Sequence, residues 1–85
     1  MAAEDLVGFL VRGLVDNPDE VEVTTVEGNA ANIVEVRVNA DDMELVQGDE
    51  GETLRHIRAV VSASAGKTKT IVELLEGGSA EAGEE

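Results

Sequence analysis

Residues 42–65 read Asp42-Met43-Glu44-Leu45-Val46-Gln47-Gly48-Asp49-Glu50-Gly51-Glu52-Thr53-Leu54-Arg55-His56-Ile57-Arg58-Ala59-Val60-Val61-Ser62-Ala63-Ser64-Ala65. The first six residues form a short apolar stub that Gly48 stops. Gly48 to Gly51 then makes a tight, glycine-bounded loop. From about Glu52 to Ala65, Leu54, Ile57 and Val61 recur at helical spacing, with Val60 and Ser64 beside that stripe. Arg55, Arg58 and Ser62 fall together on a neighbouring face. Asn39 or Asp41 is placed to cap the stub helix by accepting a hydrogen bond from a free backbone N–H, and Gly66 suits the position just past the end of the long helix. This stretch is a helix–loop–helix unit joined through G-x-x-G.

The flanks supply the rest of the order. Residues 4–15 carry Leu6, Val7, Phe9, Leu10, Leu14 and Val15 close to the spacing of an amphipathic helix, and Asn17-Pro18 stops it because the residue before a proline avoids the helical region. Residues 20–26 (Glu-Val-Glu-Val-Thr-Thr-Val) alternate almost strictly and are rich in β-branched side chains, which predicts a half-buried strand. Residues 28–32 are a loop. Residues 33–38 are a second strand, with Val34, Val36 and Val38 opposite Glu35 and Arg37, forming a hairpin with the first. A third strand is predicted over 68–75. From Gly77 the sequence GGSAEAGEE has no large apolar side chain and reads as a disordered acidic tail. The predicted organisation is one α+β domain over residues 1–76 with order α-β-β-α-α-β, followed by a tail at 77–85.

Composition narrows the function classes. Eighty-five residues make one small domain, which buries only about 60–65% of its unfolded surface. With no cysteine there is no disulfide framework and no thiolate metal site. No apolar run reaches the ~18 residues of a membrane span, so the chain reads as a soluble cytoplasmic domain. Nineteen acids against six bases give a formal charge of −13, which repels phosphate polymers at long range. The charge is uneven, however. Residues 19–52 hold eleven acids and one base (Arg37), whereas residues 53–72 hold no acid and four bases, Arg55, Arg58, Lys67 and Lys69. The chain lacks Trp and Tyr, which argues against an aromatic stacking platform for nucleic-acid bases.

The helix–G-x-x-G–helix unit within this element order resembles the KH signature, and the chain order is that of the bacterial, type II arrangement. About residues 4–75 resemble the small single-domain KH proteins of the KhpA (YlqC) family. Leu14-Val15-Asp16-Asn17-Pro18, Val46 and Gly48, Gly51 and Thr53, Ile57-Arg58 and Val60-Val61-Ser62-Ala63 carry the likeness. The resemblance implies three helices on a three-stranded sheet and non-catalytic binding of single-stranded RNA. It also suggests a second KH-domain protein, or a second copy of the chain, as protein partner. In such a domain the glycines let backbone approach backbone, the loop clamps about four nucleotides, and the following helix turns its N-terminus toward phosphate. The implied RNA-binding residues are Gly48, Asp49, Glu50, Gly51, Thr53, Arg55, Arg58, Lys67 and Lys69.

The chain departs from the family where charge matters most. Basic residues are usual at the first variable loop position and just after the second glycine. Here those positions are Asp49 and Glu52, with Glu50 between them, and Gln47 replaces an aliphatic residue before the loop. Each carboxylate repels a nearby phosphate by about 1 kcal/mol at low salt. Glu50 and Glu52 also suit the start of a helix, whose dipole favours negative charge there. Three readings follow. RNA is bound weakly and salt-dependently, helped by a salt-rich cytoplasm in which the repulsion is screened; the fold serves as a protein-interaction module that has lost RNA; or the acids at 41–52 hold a divalent cation. The last lacks the spacing of a calcium loop.

Enzymatic chemistry finds no support. His56 is the single histidine, and no nucleophile–base pair is visible. Gly66-Lys67-Thr68 imitates the end of a phosphate-binding P-loop, but Val61 stands where that motif needs glycine and a strand follows where it needs a helix. No cofactor and no metal are expected.

Overall fold

Valines 34, 36 and 38 alternate with Glu35 and Arg37, so an extended chain puts all three on one side, where only a covered sheet face keeps them from water. The computed structural model, which describes residues 2–77, shows that arrangement. The elements are α1 (Ala3–Arg12), β1 (Glu22–Glu27), β2 (Asn32–Val38), α2 (Met43–Gln47), α3 (Glu52–Ala65) and β3 (Thr70–Glu76), with 3-10 turns at Pro18–Glu20, Ala40–Asp42 and Asp49–Gly51. The sheet order is β1-β2-β3. β1 and β2 form the predicted antiparallel hairpin, with Val23 opposite Val36. β3 joins β2 in parallel, with Val34 opposite Val72, so α2 and α3 form the crossover between them. Three helices and a three-stranded sheet make the α+β, type II KH arrangement.

One sheet face is covered. α1 lies against β1 and β2, α3 lies against β3, the two helices touch, and α2 packs on α3. The buried apolar core is nine valines (7, 11, 21, 34, 36, 38, 46, 61 and 72) and Ile57. Valine has a stiff χ1 and little rotamer freedom to lose, which suits a thin helix-on-sheet layer built without an aromatic residue. Phe9 is 70% exposed on α1.

The observed boundaries correct the predicted ones by about two residues or more at three places, each time because a turn claims the backbone first, and by one residue elsewhere. α1 ends at Arg12 rather than Val15: the Leu14 N–H bonds back to the Val11 carbonyl, and the Asp16 and Asn17 amides donate to the Asp42 carboxylate instead of to helix carbonyls. β1 starts at Glu22 rather than Glu20. Pro18 opens a 3-10 turn, its fixed φ suited to that place, and the Val21 N–H closes the turn on the Pro18 carbonyl. β3 starts at Thr70 rather than Thr68, whose N–H still bonds to the Ala65 carbonyl. α3 runs over the predicted residues; neither capping candidate caps α2, whose start at Asp42 has no side-chain cap, because Asn39 instead opens the preceding 3-10 turn, its Oδ1 accepting from the Asp41 N–H at 2.8 Å. The Gly77 N–H donates to the Val38 carbonyl, so the ladder reaches one residue past β3. The acidic tail expected beyond that point lies outside the described residues.

Candidate nucleic-acid interface

The candidate interface centres on the turn between α2 and α3. The Gly48 N–H closes α2 on the Glu44 carbonyl at 2.8 Å, and the Gly51 N–H closes the loop on the Gly48 carbonyl at 3.1 Å. Three of the four loop residues have positive φ: Gly48 (74°), Glu50 (55°) and Gly51 (77°). The two glycines are not equivalent. Gly48 has ψ 178°, a region open almost only to glycine, and a Cβ there would stand 2.6 Å from the Thr53 Cβ and 2.8 Å from the Thr53 backbone nitrogen. At Gly51 the nearest atom to an added Cβ is an Arg55 nitrogen at 3.7 Å. Gly48 is therefore required by packing between the two helices, and Thr53 is its packing partner. Gly51 leaves open space through which another backbone can approach.

Charge around the turn follows from the same geometry. Asp49, Glu50 and Glu52 are all exposed. Arg55, one turn into α3, reaches back and donates from Nη1 to the Glu50 carbonyl at 2.9 Å. A cation is thus held over the loop that three carboxylates surround. Gly51 precedes α3 in the left-handed region, and no side chain caps the first-turn N–H groups, which remain directed out of the helix end.

Beside α3 lies β3, the edge strand of the sheet among the described residues. The Lys69 carbonyl accepts from the Asn32 N–H and the Gly77 N–H donates to the Val38 carbonyl. In a parallel ladder the residues of that parity face β2, so Thr70, Val72, Leu74 and Glu76 turn their backbone groups outward. Arg58 spans from α3 to this edge and donates from Nε to the Val72 carbonyl at 3.1 Å. The surface along α3 and the edge of β3 thus has the loop at one end and Arg58, exposed, bridging the two elements. Lys67 and Lys69, both exposed, lie in the α3–β3 connection at the opposite end of a 14-residue helix from the loop, about 21 Å away along its axis. Among the described residues the one ion pair is Arg37 with Glu35, at 3.9 Å; Arg55, Arg58, Lys67 and Lys69 form none.

The structure therefore places Gly48, Asp49, Glu50, Gly51, Thr53, Arg55 and Arg58 in the loop and the first half of α3, and sets Lys67 and Lys69 apart beyond its far end. His56 is exposed. Two contributors escaped the sequence. The outward backbone of β3 became visible only once the parallel pairing fixed which carbonyls face away. Asp42, 1% exposed, accepts from the Asp16 N–H (3.3 Å), the Asn17 N–H (3.1 Å) and Asn17 Nδ2 (3.0 Å), and so ties the segment after α1 to the start of α2. The Asp16-Asn17-Pro18 signature was the available hint, but its partner lies 25 residues away. No group of three or more metal-ligating side chains occurs among the described residues, and no helix there is long and apolar enough to cross a membrane.

Comparison with known proteins gives the family. The chain is 39% identical over 70 residues to the RNA-binding protein KhpA of Borreliella burgdorferi, covering 82% of this chain and 85% of the relative. It is 42% identical over 64 residues to the RNA-binding protein KhpA of Streptomyces coelicolor, covering 75% and 81%. With the RNA-binding protein KhpA of Caldanaerobacter subterraneus it shares 41% identity over 73 residues, covering 84% and 97%. A crystal structure of Aquifex aeolicus Era Y63A bound to GDP and aluminium fluoride superposes with a TM-score of 0.59 at 20% identity, over 87% of this chain and 29% of that one, and shares the fold. The family model described as "KhpA/KhpB, KH domain" matches residues 4–74, and the chain belongs to that family.

Proposed function

We propose that this protein binds single-stranded RNA, without catalysis, on the surface formed by the α2–loop–α3 unit and the edge of β3, and that its acidic loop makes the binding weak and salt-dependent. The observation that carries the reading is the turn itself. Gly51 leaves room beside a helix start whose N–H groups no side chain caps, and Arg55 is held over the same spot. An incoming phosphate meets donors and one fixed cation there. Asp49, Glu50 and Glu52 oppose it over the same few ångströms. Relatives sharing about two-fifths of their residues with this chain carry the name RNA-binding protein, which supports the same assignment. On the strength of the family resemblance we also propose a second KH-domain protein, or a second copy, as protein partner, and the cytoplasm as the setting.

The test is a titration of short single-stranded RNAs followed by backbone amide shifts at low and high salt. Perturbations should cluster from Gly48 to Arg58 and along β3, and grow as salt is lowered toward ~0.05 M. Unperturbed amides in those segments at every salt concentration would retire the reading.

A further inference from the structure

We propose that Arg58 reads a base rather than gripping a phosphate, and that it selects guanine or cytosine over adenine or uracil; this rests on the RNA-binding reading above. Three features of the structure lead there. First, Arg58 is oriented: its Nε donates to the Val72 carbonyl at 3.1 Å, which fixes the plane of the guanidinium against the edge of β3. Second, the bond uses Nε and leaves the end-on pair Nη1 and Nη2 without a hydrogen-bond or ion-pair partner among the described residues. Third, the side chain is set back from the loop, on the β3 side of α3. Arg55, which is stitched to the loop through the Glu50 carbonyl, lies three residues earlier on α3, about 4.5 Å along the helix. Where a strand's backbone runs by Gly51 and the start of α3, its bases turn toward β3, and Arg58 is the cation they meet.

The selectivity follows from donor and acceptor counts. A fixed pair of parallel N–H donors is satisfied by two acceptors side by side. Guanine offers O6 and N7 on one edge, the commonest partner of an arginine fork. Cytosine offers N3 and O2 on its Watson–Crick edge, which single-stranded RNA leaves free. Adenine sets an amino donor beside each acceptor of those edges, and uracil sets its N3–H between its two carbonyls, so both leave one arginine donor unpaired. Phosphate also offers two oxygens, but phosphate pairing is blind to sequence, and that difference is what the experiment reads.

The experiment measures the affinity of the full chain for uridine octamers that carry a central pair of guanosines, cytidines, adenosines or only uridines, at a low salt concentration and again at higher ones. The guanosine and cytidine octamers should bind about fivefold or more tightly than the other two. Arg58→Lys keeps the charge but lacks the planar fork, so the preference should fall to within about twofold while the salt slope stays unchanged. Arg55→Lys should keep the preference. Because Arg58→Lys also removes the bond to Val72, side-chain nitrogen shifts of Arg58 in the unmodified protein give an independent reading. They should move with the guanosine octamer and stay still with the uridine one. Equal binding of all four octamers, a preference that survives in Arg58→Lys, or Arg58 signals indifferent to base identity each overturns the proposal while leaving RNA binding standing. Failure of every octamer to bind overturns both.

Discussion

Reversing the charge of the loop isolates the electrostatic part of the argument. Asp49→Lys with Glu52→Arg changes each site from −1 to +1, four units in all, and leaves Gly48, Gly51 and Glu50 in place. With about 7 Å between each side-chain charge and the nearest phosphate, and the dielectric of water for exposed groups, one unit contributes about 0.6 kcal/mol before screening. Screening keeps about four-fifths of that at ~0.01 M salt and about two-fifths at ~0.15 M. Four units then give about 1.9 and about 1.0 kcal/mol, or roughly 25-fold and roughly fivefold tighter binding. At ~1 M, where the Debye length is about 3 Å, the gain falls below about twofold. Fluorescence anisotropy of a labelled short RNA at the three salts measures the ratio directly. A thermal melt is run beside it, because Glu52 is the first residue of α3 and an arginine there opposes the helix dipole, lowering stability by about 1 kcal/mol. A variant that melts a few degrees earlier yet binds RNA more tightly at low salt fits the account. Equal affinities at low salt, or a gain that persists unchanged at high salt, would refute the view that the loop faces the phosphates.

Two further substitutions test the scaffold behind the site. Asp42→Ala strands three donors, the amides of Asp16 and Asn17 and the Asn17 side chain, and should lower stability by about 3 kcal/mol; chemical denaturation measures it, and a loss under about 1 kcal/mol would deny the clamp. Gly48→Ala should destabilise by about 3 kcal/mol or more, from a forbidden backbone region and a collision with Thr53, whereas Gly51→Ala, with open space at the added methyl, should cost about 1 kcal/mol. Equal melting temperatures for the two alanine variants would count against the assigned asymmetry.

Much of this molecule is legible one segment at a time. The period of Leu54, Ile57 and Val61 predicts α3, the alternation around Val34, Val36 and Val38 predicts β2, and two glycines bounding Asp49-Glu50 predict the turn, because each pattern lies within a dozen residues and reports a local periodicity. The ends of α1, β1 and β3 were less legible: at each, a turn or a distant carboxylate competed for the backbone donors. The paired acids of the loop and the cationic face of α3 were visible as a conflict, but not its geometry.

Local pattern thus determined the element order, the family likeness and the wrong-sign loop. What only tertiary structure decided are the links across sequence: Asp42 to Asn17, 25 residues apart, Arg58 to Val72, 14 apart, the parallel pairing that turns the Val72 backbone groups, though not its buried side chain, away from β2, and the different reasons for Gly48 and Gly51. The physical reason is that a hydrogen bond or a close contact depends on where two segments meet, and that place is set by the whole packed core rather than by either segment's own composition.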